Sequence, residues 1–513
     1  MCLFPAWWSR HWGRMGGAGL LAAALPLFTL PSPPPPARAP VREVVLLISG
    51  GTQGHLEPCG CGGQRRGGLS GRPRALRELG SASGGCILVD AGDAVGGSGR
   101  QDDLKFQATA LALRSMGYHA VALGDQDLSL DHTFLESTIA PLRLPVVCGD
   151  LAGATPWAPR YRSATVRGVR VLLVGLMGGD GAAGPAPSDL AGTGQALRAI
   201  AATARGKYDL AVVIAHRLPS APDIVRAALP GPCVIILADS GRNEPPPPLA
   251  LANCLVVDPG QAGRYLTRVG VRLAPSGHIV SFTYRAVPVT APAGDGASAP
   301  AFLRLYRSRV AAEDLVGHAT QRPLPDGERF VGSSSCGACH ESQHTKWGGS
   351  AHAHAFSTLI RAGAEADPEC VGCHTVGFGL QSGFSGRTPT PHLAAVGCEA
   401  CHGPGGRHAA DPTSVHLQDP AAACPKCHTP ERSPRFDPAA YLVPSFATGS
   451  LSGQAALVTG PEAYSLAISR TGFTILTIRC SPTAATETAR RVLDWRRCVP
   501  VAPAAPQGCQ ASR

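Results

Sequence analysis

The chain has 513 residues, 44% of them hydrophobic and 5% aromatic, with 62 Gly, 47 Pro and a formal charge of +10. That length exceeds what one core fills, so two domains with connectors are expected; the ordinary apolar content excludes a wholly disordered chain. The positive balance comes from Arg scattered through the N-terminal part and the tail. Between Val331 and Ala440 there are 7 Lys+Arg against 9 Asp+Glu, which argues against nucleic acid as a partner.

Residues 1–39 read as an export signal: Arg10, His11 and Arg14 precede an apolar run from Gly16 to Leu30, then a Pro-rich stretch and Ala37-Arg38-Ala39. The run is short and broken by Pro26, below the roughly 20 apolar residues of a membrane span. A periplasmic protein is expected, with membrane association only through an uncleaved signal.

Residues 40–289 alternate short β-branched runs with helical stretches. Strands are predicted at Glu43–Ser49, Cys86–Val89, Ala120–Leu123, Pro145–Cys148, Val171–Leu176, Leu210–Ala215, Cys233–Leu237 and Leu255–Val257. Leu104–Met116 and Gln195–Ala204 have helical spacing, and Tyr265–Leu273 with His278–Val287 form a hairpin around Pro275-Ser276-Gly277. The fold class expected is an α/β sandwich, followed by a mainly helical domain.

Three stretches follow predicted strands: Val89-Asp90-Ala91-Gly92-Asp93, Ala122-Leu123-Gly124-Asp125-Gln126-Asp127 and Val213-Ile214-Ala215-His216. In order and context they resemble the metallophosphoesterases, and the domain is similar to their periplasmic 5'-nucleotidase-like branch. Gly54-His-Leu-Glu-Pro-Cys59-Gly-Cys61, followed by Gly67-Gly68-Leu69, matches a subgroup of that branch. The resemblance implies two divalent metals that activate a bridging water. This chain departs from the ligand set: Gly51 and Gln53 stand where the family has Asp-x-His, Asp125, Gln126 and Asp127 fill the Asn-His-Glu element, and Ala238-Asp239-Ser240-Gly241 replaces Gly-His-x-His. Asp93 and His216 survive in type, with Asp125 in place of Asn. A divalent metal in this domain is therefore not expected, and a scaffold with a degenerate site is the leading reading. Cys59 and Cys61, with Arg65 and Arg66 nearby, suit either a redox or metal pair or bridges to Cys86, Cys148, Cys233 or Cys254.

Residues 290–330 are read as a linker and a helix: Thr290 to Pro300 is rich in Ala, Pro and Gly, and Phe302–Val316 carries Leu, Tyr and Val at helical spacing.

Residues 331–443 hold the strongest signal in the chain. Eight of the 18 Cys fall into four copies of one pattern: Cys336-Gly-Ala-Cys339-His340, Cys370-Val-Gly-Cys373-His374, Cys398-Glu-Ala-Cys401-His402 and Cys424-Pro-Lys-Cys427-His428. This is the c-type haem attachment motif. Two thiols three residues apart bond the two vinyl groups of one porphyrin, and the next residue places an imidazole on the iron. Zinc sites do not require a His after each second Cys. Four c-type haems are thus expected, with His340, His374, His402 and His428 as proximal ligands. So many haems in about 110 residues must supply much of the buried apolar surface themselves, so the apo-protein is expected to be largely unfolded. Met is absent after Met177, which excludes His–Met ligation. That leaves bis-His haems, or a set in which one or more haems are open on one side.

The stretch CGACHESQHTKWGGSAHAHAF, with ECVGCHTVGFG, HLAAVGCEACHGPGGRH and ACPKCHTPERSPRF, resembles the tetrahaem cytochromes that accept electrons from hydroxylamine oxidoreductase, over Phe330 to Tyr441. The resemblance implies distal ligands at His352 and His408. His344, His354 and His416 are read as surface residues. No His follows His428, where the relatives usually supply one, so one haem lacks its usual distal ligand or takes His392 or His416. Residues 444–513, with Cys480, Cys498 and Cys509, form a low-complexity tail. The reading reached is an electron-transfer protein with unidentified redox partner proteins. Its alternatives are a multihaem oxidoreductase with a five-coordinate haem and a metal-dependent phosphohydrolase with an attached redox domain.

Overall fold

The computed structural model describes residues 41–58, 66–80, 85–151, 155–178, 192–218, 220–238, 241–290, 299–325, 327–413, 415–430, 432–433 and 435–438, and four strands of two or three residues beyond them. The export signal, Cys59, Cys61, Asp239, Ser240, most of the 290–300 linker and most of the tail lie outside the described residues.

Two six-stranded sheets face each other. The first comprises β1 Arg42–Ser49, β2 Cys86–Asp90, β3 Ala120–Ala122, β4 Val146–Val147, β11 Tyr265–Leu273 and β12 Ile279–Pro288, in the order β12-β11-β1-β2-β3-β4. The second comprises β5 Tyr161–Val166, β6 Val169–Leu176, β7 Leu210–Ala215, β8 Cys233–Leu237, β9 Leu249–Leu251 and β10 Cys254–Val257, in the order β5-β6-β7-β8-β10-β9. β1 to β4 are parallel, as are β6, β7, β8 and β10, and antiparallel strands close every edge except the one at β4.

Strand alternation sorts the side chains into layers. Val44, Leu46 and Ile48 of β1 meet Val171, Leu173, Val212, Ile214, Val234 and Ile236 between the sheets. Val45, Leu47 and Leu88 point outward, into a core shared with the helices Arg100–Ser115, His132–Leu142 and Ala301–Ala312. On the far side, Leu172, Val174, Val213 and Ile235 are covered by Thr193–Ala204 and Ala221–Ala228. Burial on both faces makes the central strands continuous apolar runs. The expected sandwich is therefore present as four layers. The helix foreseen at 302–316 spans Ala301–Ala312 and belongs to it, burying Phe302, Leu303, Tyr306 and Val310.

Cys233 and Cys254 are opposite each other in the parallel pair β8/β10 and form a disulfide. That removes both as partners for Cys59 or Cys61.

The region after 331 is built from short helices: Ser333–Gly337, Glu341–Gly348, Ala355–Ala362, Pro368–His374, Cys398–His402, Gly406–Ala410 and Cys424–Cys427. It buries a small apolar cluster of its own, with Val316, Phe330, Phe356, Leu359, Ala364, Val371, Val376, Phe384 and Leu393. The protein thus has some core here besides what porphyrins would add. That core gathers round the second motif, through Val371, whereas the helices Glu341–Gly348 and Cys424–Cys427 bury no residue.

Candidate functional sites

Each Cys-x-x-Cys-His motif lies on a single helical turn. His340 N donates to Cys336 O at 2.9 Å and His428 N to Cys424 O at 2.9 Å. The two sulfurs of a motif, three residues apart, therefore share a face. None of the eight motif cysteines is in a disulfide.

Imidazole orientation follows from the bonds each ring makes at Nδ1. His374 Nδ1 lies 2.8 Å from Ala355 O, His402 Nδ1 3.3 Å from Gln418 O, and His408 Nδ1 2.7 Å from Val415 O. A carbonyl oxygen can only accept, so Nδ1 carries the proton in all three, and Nε2 is left as a lone-pair donor. His428 Nδ1 is bonded at 3.0 Å to Ser433 Oγ, and its ring stacks on Phe436 at 4.1 Å.

The structure brings two of the motif histidines to partner imidazoles. His340 and His408 are nearly parallel, with ring centroids 6.3 Å apart and 20° between planes; His352 and His428 lie 6.2 Å apart at 56°. These separations exceed van der Waals stacking. They are short enough that both imidazoles of a pair could hold one metal through bonds of about 2 Å. Among the described residues, neither His374 nor His402 faces a second imidazole. His344 packs on Trp347 at 5.4 Å, His392 lies against Gly332, and His354 and His416 are exposed.

The motifs also touch one another. The thiols of Cys336 and Cys398 lie close enough to perturb each other, as do those of Cys373 and Cys427, and Cys401 lies within electrostatic reach of Cys424. The spatial succession of motifs is thus first, third, fourth, second.

One residue joining them occupies a variable position of the third motif. Glu399 is 3% exposed. Its carboxylate accepts from Val331 N at 3.0 and 3.1 Å, Gly332 N at 2.7 Å and Gly405 N at 2.7 Å. It ties the entry to the first motif and the Gly-Pro-Gly loop before His408 to the third motif.

In the sandwich, the three residues that survive the departure from the phosphoesterase pattern do converge. Asp93, Asp125 and His216 follow the carboxyl ends of β2, β3 and β7, and their ligand-capable atoms lie within 4.8 Å of one another. His216 Nδ1 is 3.5 Å from Asp93 Oδ2, Asp93 Oδ1 accepts from Gln126 N at 3.3 Å, and Arg217 pairs with Asp125 at 3.7 Å. Burial, with Asp93 beside it, pushes the Asp127 carboxyl up to about 7.

These groups do not fit a metal pair. A Cβ on Gly51 would sit 2.7 Å from Gly92 O and 3.0 Å from Asp93 Cβ, so the missing Asp has no room at that position. Asp90, the other acid of the stretch, is held by Arg72 at 2.7 Å and Ser49 at 2.6 Å in a buried network that includes the Tyr118 hydroxyl.

Residues 335–403, which contain the first three motifs, match the family model for cytochrome c554 and c-prime. Cytochrome c-554 of Nitrosomonas europaea is 40% identical over 91 residues, which cover 15% of this chain and 39% of that protein. Among solved structures, the 5'-nucleotidase precursor from Thermus thermophilus is similar at 18% identity and a TM-score of 0.44, covering 57% of this chain and 63% of that one. The NAD nucleotidase of Haemophilus influenzae is similar at 16% identity and a TM-score of 0.44, covering 58% and 65%. The chain therefore spans under half of the curated relative and less than two thirds of either structure. By sequence, residues 335–403 are similar to the cytochrome c554 family, in the same chain as a two-sheet α/β sandwich.

Proposed function

We propose that the protein is an exported, periplasmic electron carrier that attaches four c-type haems through Cys336/Cys339, Cys370/Cys373, Cys398/Cys401 and Cys424/Cys427. His340, His374, His402 and His428 would be the proximal ligands, with His408 opposite His340 and His352 opposite His428. Each haem, when bound, supplies a one-electron ferric/ferrous couple. The chain's own residues set tautomer, ring orientation and spacing. The carrying observation is the pair of imidazole–imidazole approaches at 6.3 and 6.2 Å, together with the Nδ1–H bond of His408 to Val415 O, which leaves its Nε2 as the lone-pair donor. Contact between motifs supports a path in the order first, third, fourth, second. Donor and acceptor are redox proteins in this reading, and the sandwich is a scaffold.

A second reading rests on His374 and His402, which face no other imidazole among the described residues. An open side at either haem would admit a small ligand and allow oxidoreductase chemistry. Protein matured with a c-haem assembly system is expected to carry four covalent haems by the pyridine haemochrome assay. Cyanide is expected to perturb the haems of the second and third motifs at most. Fewer than four haems would sink the proposal, and perturbation of all four would sink the two pairings.

The sandwich is expected to give no hydrolysis of nucleotides or aryl phosphates with added manganese or zinc. Turnover that disappears in Asp93→Asn would restore the phosphohydrolase reading.

A further inference from the structure

The second motif is held differently from the others. Its helix, Pro368–His374, is anchored to the sandwich by side chains on both sides. Asp367 caps it, accepting from Glu369 N at 3.0 Å. The same carboxylate receives Gln101 Nε2 at 2.8 Å and the Tyr306 hydroxyl at 2.9 Å. Glu369, one residue before Cys370, pairs with Lys105 Nζ at 2.5 Å. Gln101 and Lys105 stand one helical turn apart on Arg100–Ser115, and Ala366 packs on the sandwich core.

Lys105 is unusual because it is buried. It is 4% exposed, whereas its partner Glu369 keeps 58% of its side chain in contact with solvent. An ammonium taken out of water loses hydration that one half-exposed carboxylate only partly replaces. Room for it is left by Gly54, where a Cβ would lie 3.3 Å from Nζ and where φ is +77°. Gly54 opens the Gly-His-Leu-Glu-Pro-Cys stretch, and Glu57 of that stretch pairs with Arg307 at 2.5 Å. Charges from both parts of the chain therefore converge on the second motif. Burial pushes the Cys370 thiol up, Asp367, Glu369 and Glu57 add to that, and Arg307 opposes them.

We propose that the sandwich tunes the haem of the second motif: Arg100–Ser115 docks that motif, and the buried Lys105 ammonium is a positioning cation that raises its reduction potential. This rests on the cytochrome reading above. Reduction adds one negative charge, and a nearby cation in a poorly screened site stabilises the reduced form. The glycine-initiated stretch of the sandwich would then serve the haem as part of its electrostatic wall.

The test is a spectropotentiometric titration of the full-length, haem-loaded protein, with the covalent haem count taken on the same samples. Lys105→Met keeps the apolar stem and removes the charge, and is expected to lower the potential of one component of four. Glu369→Gln leaves the ammonium uncompensated and is expected to raise the same component. Lys105→Arg is expected to restore the parent value. No shift in either variant, or shifts in the same direction, would overturn the proposal, since a packing effect has no reason to follow the sign of the charge. A parent protein with fewer than four haems would instead remove the cytochrome reading, and this proposal with it.

Discussion

Replacing Glu399 by alanine is expected to destabilise the haem-motif region by about 3–5 kcal/mol, since two buried N–H groups and one half-buried one lose their acceptor at roughly 1–3 kcal/mol each before water enters or the loops relax. The N–H groups belong to Val331, Gly332 and Gly405, so the damage spreads beyond the third motif. Val331 and Gly332 lead into Cys336, and Gly405 precedes His408. Glu399→Gln keeps one acceptor oxygen and presents an amide N–H₂ to the other donors, so a smaller loss is expected. Urea unfolding of the haem-loaded protein, followed in the Soret band, measures both. An alanine variant within about 1 kcal/mol of the parent would show that the carboxylate is replaceable by solvent.

Glu399 also marks where sequence reasoning stops. The Cys-x-x-Cys-His pattern is readable because covalent attachment fixes spacing and residue type, but the chemistry places no demand on the two x positions. Only the folded chain shows three N–H groups converging on one of them. Lys105 is hidden similarly: in a helix read from its apolar spacing, a Lys counts as solvent-facing until the second motif is seen docked over it. The central strands are legible to within a residue or two, because β1, β6, β7 and β8 are covered on both faces and read as unbroken apolar runs. The edge strands β5 and β9 escape that reading, since Tyr161–Val166 is only partly buried and mixes polar with apolar residues, and Leu249–Leu251 is three residues long and mostly exposed. The helix His132–Leu142 escapes it too, although Asp131 caps it by accepting from Phe134 N; Pro141 in its last turn weakens the pattern. In the sandwich, residue types alone tell which phosphoesterase ligands survive. The closed space at Gly51 is visible only in three dimensions.

Removing His408 and His352 one at a time is expected to change two different haems. In His408→Ala, the haem held by His340 loses its facing imidazole, and in His352→Ala the haem held by His428 does. Each variant should lose one bis-imidazole low-spin signal in electron paramagnetic resonance and gain a high-spin signal that cyanide converts back. The pairs rely on different supports. His408 is oriented by the carbonyl of Val415, while His428 is oriented by Ser433 and the stacked Phe436. The double variant is therefore expected to show the sum of the single changes, as independent sites do. Both substitutions affecting one haem, or neither changing a spin state, would contradict the pairing. The motifs touch in the order first, third, fourth, second, so the two pairs flank the third motif in space, and the second ends the series at the sandwich. Four haems with two closed ends would make a plain wire. If the proposed pairing closes the haems of His340 and His428, while His374 and His402 face no other imidazole among the described residues, the positions where a small ligand could enter fall in the middle of the series and at the sandwich boundary, where the charges of Lys105 and Glu369 also act.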